Sequence, residues 1–112
     1  MPTITPTLTS IGDGVVVAKW EGAAGSDTCL PISIPRYPDR TIQIIGDATS
    51  VALHGSMDNS TFVALSDWLG AAISLAGATD DITVVAENAL YLKPVVTGGS
   101  DTDIYIVGTT HR

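Results

Sequence analysis

The sequence predicts an all-β protein, an antiparallel β-sandwich of jelly-roll-like form with an extended N-terminal arm. Short runs rich in Val, Ile and Thr recur about every ten residues, and Gly, Pro, Asn and Asp separate them. No segment has a convincing helical period, and regular strand spacing is typical of sandwiches and barrels. A chain of 112 residues is long enough for one domain. We expect an arm over residues 1–13 and a single β-sandwich domain over residues 14–112.

The predicted arm differs in composition from the rest of the chain. Thr, Pro and Ser alternate with single Ile and Leu residues, and the prolines disfavour a helix and favour an extended path. Such an arm lies either on the protein's own sheet or on a neighbouring subunit, and both remain open here. The residues expected to contact a partner are Thr3, Ile4, Pro6, Leu8 and Ile11.

Three strands are predicted in the first half of the domain. The first covers residues 15–20, which are mostly Val and Ala. Residues 29–35 contain two prolines, which suit an edge strand because proline donates no ladder hydrogen bond. Residues 37–40 predict a turn, and residues 41–46 predict the next strand.

Two hairpins are predicted in the second half. Residues 51–65 form the first, with its bend at residues 58–60, where Asp-Asn-Ser favours a turn. Residues 90–107 form the second, around the turn Thr-Gly-Gly-Ser at residues 97–100.

Between the hairpins, residues 67–78 are the only stretch with a plausible helical period. Gly70 and Gly77 weaken a helix by about 1 kcal/mol each. We therefore interpret the stretch as strand-like, followed by a β-branched strand over residues 82–87.

Charge narrows the possible partners. Only 15% of residues are charged, against roughly 25% in an ordinary soluble domain. The net charge is −7, and the five Lys and Arg residues are scattered, so we expect no nucleic acid partner. No run approaches ~20 apolar residues, so no membrane partner is expected. The single cysteine, Cys29, excludes an internal disulfide and is expected to be buried.

Candidate chemistry is weak. His54, Ser56 and Asp58 lie within five residues, but on a strand His54 and Ser56 are about 6.6 Å apart, too far for a nucleophile and its base. We interpret Asp58 as a turn cap, and we predict no catalytic residue, so the protein is expected not to be an enzyme.

Calcium and sugar are two other ligands that the sequence could suggest. Carboxylates at residues 80–81 and at Asp101 and Asp103 resemble calcium ligands, but no EF-hand spacing is present. We predict no metal and no cofactor. Sugar binding needs an exposed ring, for which Trp68 is the best candidate, whereas Trp20 and Phe62 are expected to fill the core.

Residues 55–67 begin Gly-Ser-Met-Asp, and residues 91–99 read Tyr-Leu-Lys-Pro-Val-Val-Thr-Gly-Gly. This pattern resembles small virion proteins encoded near the major capsid gene of tailed bacteriophages, in which a Gly-Ser-x-Asp hairpin precedes an aromatic-x-Lys-Pro strand and a Gly-rich hairpin. The resemblance covers about residues 41–112. Asn59 stands where a glycine is common, and Asn adopts the same turn conformation.

The resemblance implies a capsid decoration, or cement, protein that binds the outside of the shell and bridges capsid subunits. Its partners would be the major capsid protein and further copies of itself, as a homodimer or homotrimer. It would lie on the outer capsid surface of the virion and in the host cytoplasm during assembly. The alternative is a carbohydrate- or receptor-binding β-sandwich module of a virion.

Overall fold

A computed structural model describes residues 3–12, 14–25, 27–77, 81–86 and 89–110. Over these residues every regular element of more than one residue is a strand. The strands are β1 Thr3–Ile4, β2 Thr7–Ser10, β3 Val15–Ala23, β4 Thr28–Cys29, β5 Ile32–Ser33, β6 Asp39–Gly46, β7 Ser50–Ser56, β8 Val63–Ala64, β9 Ser74–Leu75, β10 Ile82–Val85, β11 Tyr91–Thr97 and β12 Thr102–Thr109.

Two antiparallel sheets form the sandwich. The first has five strands in the order β10-β6-β12-β3-β2. The second has the order β5-β11-β7, and both β8 and β9 pair along the remaining edge of β7. A short parallel pair, β1 with β4, adjoins them. The predicted antiparallel, jelly-roll-like β-sandwich is therefore confirmed.

The core lies between the sheets and follows the two-residue period of the strands. Every second residue of β7 and β12 is buried, and the same alternation holds in β3 as far as Trp20 and in β6 as far as Ile44. The fully buried apolar side chains are Ala18, Trp20, Ala23, Ile42, Ile44, Val51, Leu53, Leu92, Ile104 and Ile106. Trp20 fills the core as predicted, and its Nε1 donates a 2.9 Å hydrogen bond to the carbonyl of Leu30.

The predicted hairpin over residues 90–107 is wrong. β11 pairs with β7 in the second sheet, whereas β12 lies between β6 and β3 in the first. Gly98 and Gly99 have φ angles of +71° and +81°, a conformation that favours glycine. The Asp47 carboxylate accepts hydrogen bonds from the N–H groups of Ser100 and Asp101. The turn therefore carries the chain across the end of the sandwich instead of folding it back on the same sheet.

The predicted turn over residues 37–40 is wrong in its second half. Asp39 and Arg40 begin β6, and the Arg40 side chain is completely buried. Phe62, expected in the core, is only half-buried. Its ring lies on the outside of the sandwich, with Lys93 Nζ 4.4 Å from the ring centroid.

Several local predictions are confirmed. The first hairpin is formed by β7 and β8, with Gly55 opposite Val63. β5 is an edge strand, and Cys29 is buried, which raises the pKa of its thiol to about 11. In the described part of residues 67–78 no α-helix forms, and β9 lies there instead; of these residues only Gly77 is in a 3₁₀ conformation.

The segment predicted as an arm lies on the protein's own sheet. β1 pairs with β4, and β2 pairs with β3 and forms one edge of the five-stranded sheet. Residues 1, 2 and 13 of the predicted arm lie outside the described residues.

Candidate interaction surface

Two adjacent rows of side chains, aligned by the strand register, cross the middle of the outward side of the five-stranded sheet. The rows beyond them on the same side carry the acidic residues Asp39, Glu21 and Asp103. In the central row Val84 lies opposite Thr41, and Thr41, Val107, Val17 and Thr9 follow across the remaining strands. All five residues are β-branched and uncharged. Val17, Val84 and Val107 are each half-buried by their neighbours and are not covered by the second sheet.

The neighbouring row runs from Ile82 through Gln43, Tyr105 and Lys19 to Thr7. Its one charge is Lys19, whose Nζ lies 5.1 Å from the ring centroid of Tyr105. The same Nζ lies 3.6 Å from a carboxylate oxygen of Glu21. The hydrogen bond to Tyr105 is the main cause of the raised Lys19 pKa.

These two rows are called the outer face below. An antiparallel sheet with one side in water usually alternates apolar residues inside with polar residues outside. Here the outward positions are mostly Val, Ile and Thr, and Ile82 is 56% exposed. Five strands spaced 4.8 Å apart make the outer face roughly 20 Å wide. A face of this kind is typical of an interaction site.

The outer face was not identified from the sequence, although a signal was present. Val15, Val16 and Val17 follow one another without a polar residue. A run without alternation indicates a strand that is covered on both sides. In the sequence this run predicts a strand, but it also indicates that the side of the strand facing away from the core is covered by a partner.

The structure spreads the predicted partner-binding residues along one edge. Thr3 and Ile4 line a shallow groove of about 330 Å³ together with Lys19 and Glu21, and Ile4 also packs against the core. Leu8 and Ile11 are 52% and 59% exposed. Ile11 lies four residues further along β3 than Thr7, since it bonds to Val15 while Thr7 pairs with Lys19.

Pro6 is half-buried between β1 and β2. The five residues thus do not form one compact site, and their role in binding stays a prediction.

A separate open cavity of about 490 Å³ lies at the β7–β8 hairpin. Its lining is mainly apolar and consists of Gly55, Ser56, Met57, Asp58, Thr61, Val63, Leu65 and Ala89. No aromatic side chain lines it in the described part of the chain. A sugar-binding site would be expected to offer a ring for stacking, so the cavity does not resemble one.

Of His54, Ser56 and Asp58, the last two build the turn of the first hairpin. Asp58 Oδ1 accepts hydrogen bonds from the N–H groups of Thr61 and Ser60 and from the Ser56 hydroxyl. The bond from Thr61 contributes most to lowering the pKa of Asp58 to about 2. His54 pairs with Lys93, and burial followed by the Lys93 charge lowers its pKa. Asp58 therefore caps the turn, as expected.

The remaining candidates are dispersed. Asp80 lies outside the described residues, and the Asp103 carboxylate accepts a hydrogen bond from the N–H of Gly22. In the ranges that the structure describes, no group of three or more His, Cys, Asp or Glu residues is placed to hold a metal ion. Those ranges also contain no helix long and apolar enough to cross a membrane. Trp68 is 57% exposed on the turn that follows β8.

Comparison with known proteins gives a similar fold. The chain matches the crystal structure of the SPBc2 prophage-derived protein YomS with a TM-score of 0.58 and 11% identity, over 89% of this chain and 98% of that one. Looser matches include KdgF from Halomonas, with a TM-score of 0.46, 15% identity and coverage of 96% and 78%. A cupin domain from Bordetella pertussis matches with a TM-score of 0.44 and 11% identity, over 99% of this chain and 96% of that one.

No protein-family model matches the chain, and no curated protein matches it. At 11% identity the similarity to YomS shows a shared fold. It does not carry a function from one protein to the other.

Proposed function

We propose that the protein is a non-enzymatic virion component that binds the outer surface of a phage capsid and bridges adjacent capsid subunits. Its principal partner would be the major capsid protein. The observation that carries the proposal is the outer face, in which one of ten side chains is charged. Depletion of charge at the centre of a surface is typical of lasting protein interfaces.

The distribution of charge supports the same function. The net charge is −7, and all of the acidic residues lie outside the outer face, whose single charged residue is Lys19. An acidic protein is repelled by packaged nucleic acid and is compatible with the outside of a shell. The fold is also that of a protein derived from a prophage, which supports a phage context.

Stabilisation would follow from mass action. A protein that binds the assembled lattice and not the free subunits favours assembly by about 2.7 kcal/mol per site when its concentration is a hundred times its dissociation constant. Bridging requires at least two contacts per copy. The outer face supplies one, and the edge formed by β2 lies beside it.

A matched pair of variants tests the capsid contact. Val107→Glu places a carboxylate at the centre of the outer face, whereas Val95→Glu makes the same change at an outward position of the second sheet. Co-sedimentation with shells of a tailed phage whose genome encodes the protein measures binding. We expect Val107→Glu to weaken binding roughly tenfold or more and Val95→Glu to bind like the wild type.

Circular dichroism and thermal unfolding establish that both variants fold. Failure of the wild type to sediment with any shell would contradict the proposal. Equal binding by Val107→Glu would exclude the outer face as the contact.

One observation favours a carbohydrate- or receptor-binding module as the second candidate. Trp68 is presented on a turn held by Asp67, whose Oδ1 accepts hydrogen bonds from the N–H groups of Leu69 and Ala71. An exposed, preorganised ring suits stacking on a sugar. Specific signals on a glycan array that Trp68→Ala abolishes, without any shell binding, would favour this candidate over the first.

A further inference from the structure

Among the residues that the structure describes, the edge strand β2 pairs only with β3, and no described strand lies along its other side. Ile11 N–H donates to the carbonyl of Val15 at 3.0 Å, which continues the register of β2 with β3. In an antiparallel ladder, hydrogen-bonded pairs alternate along the strand. Thr7 and Thr9 therefore bond to β3, and the backbone groups of Leu8 and Ser10 point away from the sheet.

The other sheet edges are protected in ways that β2 is not. β5 has two residues and lies between Pro31 and Pro35, and β8 and β9 have two residues each. At the far edge of the same sheet, β10 also has four residues without charge or proline, but the N–H of Ala86 next to it donates to the carbonyl of Ser66, so a loop lies along part of that edge. Short strands, prolines and covering loops are the usual protection against edge-to-edge pairing. β2 has four residues, with no charge and no proline.

Leu8 indicates what lies beside this edge. It is aligned with Ala18, so its side chain is on the core side of the sheet. Ala18 is completely buried, yet Leu8 is 52% exposed. The core side of the sheet therefore extends beyond the cover that the second sheet provides, and half of the apolar Leu8 side chain is exposed there.

We propose that β2 pairs in antiparallel fashion with β2 of a second copy of the chain, with Leu8 opposite Leu8. A two-fold axis perpendicular to the sheet keeps the core sides of both copies together, so Leu8 can face only Leu8 or Ser10. When Leu8 faces Leu8, the outward N–H and C=O groups of the two Leu8 residues form a hydrogen-bonded pair. This register also brings the two apolar side chains together. It also sets Thr7 opposite Thr9 on the outer side.

A second copy suits this edge better than a charged partner because residues 7–11 carry no charge. Two copies of an acidic protein therefore meet without like charges at the contact. Pairing joins two five-stranded sheets into one of ten strands and makes the two outer faces continuous. The role of the dimer rests on the proposed function. If each copy binds one capsid subunit through its outer face, one dimer spans two subunits.

Disulfide crosslinking of the free protein tests the register. Paired Leu8 residues would have Cα atoms about 5.5 Å apart, within the range that a disulfide spans. Oxidised Leu8→Cys should run as a covalent dimer in non-reducing electrophoresis. Ser10→Cys is the matched control, because in this register its two copies are offset by four residues, about 13 Å. Thr9→Cys crosslinking better than Leu8→Cys would overturn the register.

Gel filtration tests the contact without cysteine. Leu8→Pro removes an N–H that points away from β3, so the fold is kept while the dimer bond is lost. The wild type should elute as a dimer and Leu8→Pro as a monomer of equal melting temperature. A monomeric wild type with no Leu8→Cys crosslink would overturn the proposal. Crosslinking without binding to shells would contradict the capsid function and leave the dimer standing.

Discussion

Arg40 Nη1 donates a 2.8 Å hydrogen bond to the carbonyl oxygen of Ala89, which lies 49 residues further along the chain. The same guanidinium donates from Nη2 to Ile34 and from Nε to Tyr37, both at 2.9 Å. Its side chain is completely buried, and burial lowers the pKa of the group. One side chain therefore ties β6 to the segment before it and to the segment that enters β11.

Replacement of Arg40 should be costly. Arg40→Met keeps an apolar stem but removes the donor to all three carbonyl oxygens. The Ile34 carbonyl still accepts the N–H of Tyr37 at 3.1 Å, whereas the carbonyls of Tyr37 and Ala89 lose the Arg40 donor. Because each buried unsatisfied group costs about 1–3 kcal/mol, we expect the free energy of unfolding in urea to fall by at least about 2 kcal/mol. Arg40→Lys should recover part of the loss, because an ammonium lacks the planar fork that reaches all three oxygens.

The control for Arg40 is Arg36→Met at an exposed arginine nearby, where a change within about 0.5 kcal/mol is expected. A loss below about 1 kcal/mol for Arg40→Met would show that the three hydrogen bonds do not stabilise the fold.

The sequence predicted the strands better than their assembly. The strand predicted over residues 41–46 lies within β6, and its alternating residues Ile42 and Ile44 are buried in the core. Arg40 shares their face, although Pro38 and Asp39 predict a turn that includes it. Arginine is almost never fully buried without partners. Those partners are backbone carbonyls, which a side-chain pattern does not display. The outer face was not predicted for a related reason, because in the sequence an apolar residue on the outward side of a strand cannot be distinguished from one in the core.

The order of strands could not be predicted from local turn chemistry. The pair Gly98-Gly99 is typical of the turn in a β-hairpin. In the folded chain this turn is held by Asp47, which accepts hydrogen bonds from Ser100, 53 residues further along the chain. Nothing in the turn itself encodes that contact.

Substitution of two glycines should distinguish the cost of backbone strain from the cost of steric crowding. Gly70 has a φ of +85° and open space around a Cβ, whereas a Cβ on Gly99, with a φ of +81°, would lie 2.7 Å from the Cα of Ala48. Gly70→Ala should cost about 1 kcal/mol through strain alone. Gly99→Ala should cost about 2 kcal/mol more, because the Ala48 backbone must move. Urea unfolding of both variants measures the difference, and equal losses would contradict the crowding at Gly99.

Acid should weaken the hairpin turn through Asp58. Its pKa in the folded protein is about 2, below the ordinary value of about 3.9. Its contribution is therefore complete above about pH 5 and is lost as the pH falls through the folded pKa. We expect the melting temperature of Asp58→Ala to lie below that of the wild type at pH 7, and the gap to narrow between about pH 4 and pH 2.

Asp58→Asn is the control for the Asp58 carboxylate. It keeps an acceptor oxygen but cannot titrate, so its melting temperature should differ from that of Asp58→Ala by the same amount at every pH. A gap between the wild type and Asp58→Ala that does not change with pH would show that the ionised carboxylate does not stabilise the turn.

The two tryptophans should respond differently to a quencher in water. Trp20 is completely buried and Trp68 is 57% exposed. Iodide, which does not enter a packed core, should therefore quench only the Trp68 part of the fluorescence. Trp68→Phe should make the remaining emission almost insensitive to iodide, while Trp20→Phe should leave a protein whose emission is readily quenched. Strong quenching in Trp68→Phe would mean that water reaches Trp20, which would contradict the packing of β3 against the second sheet.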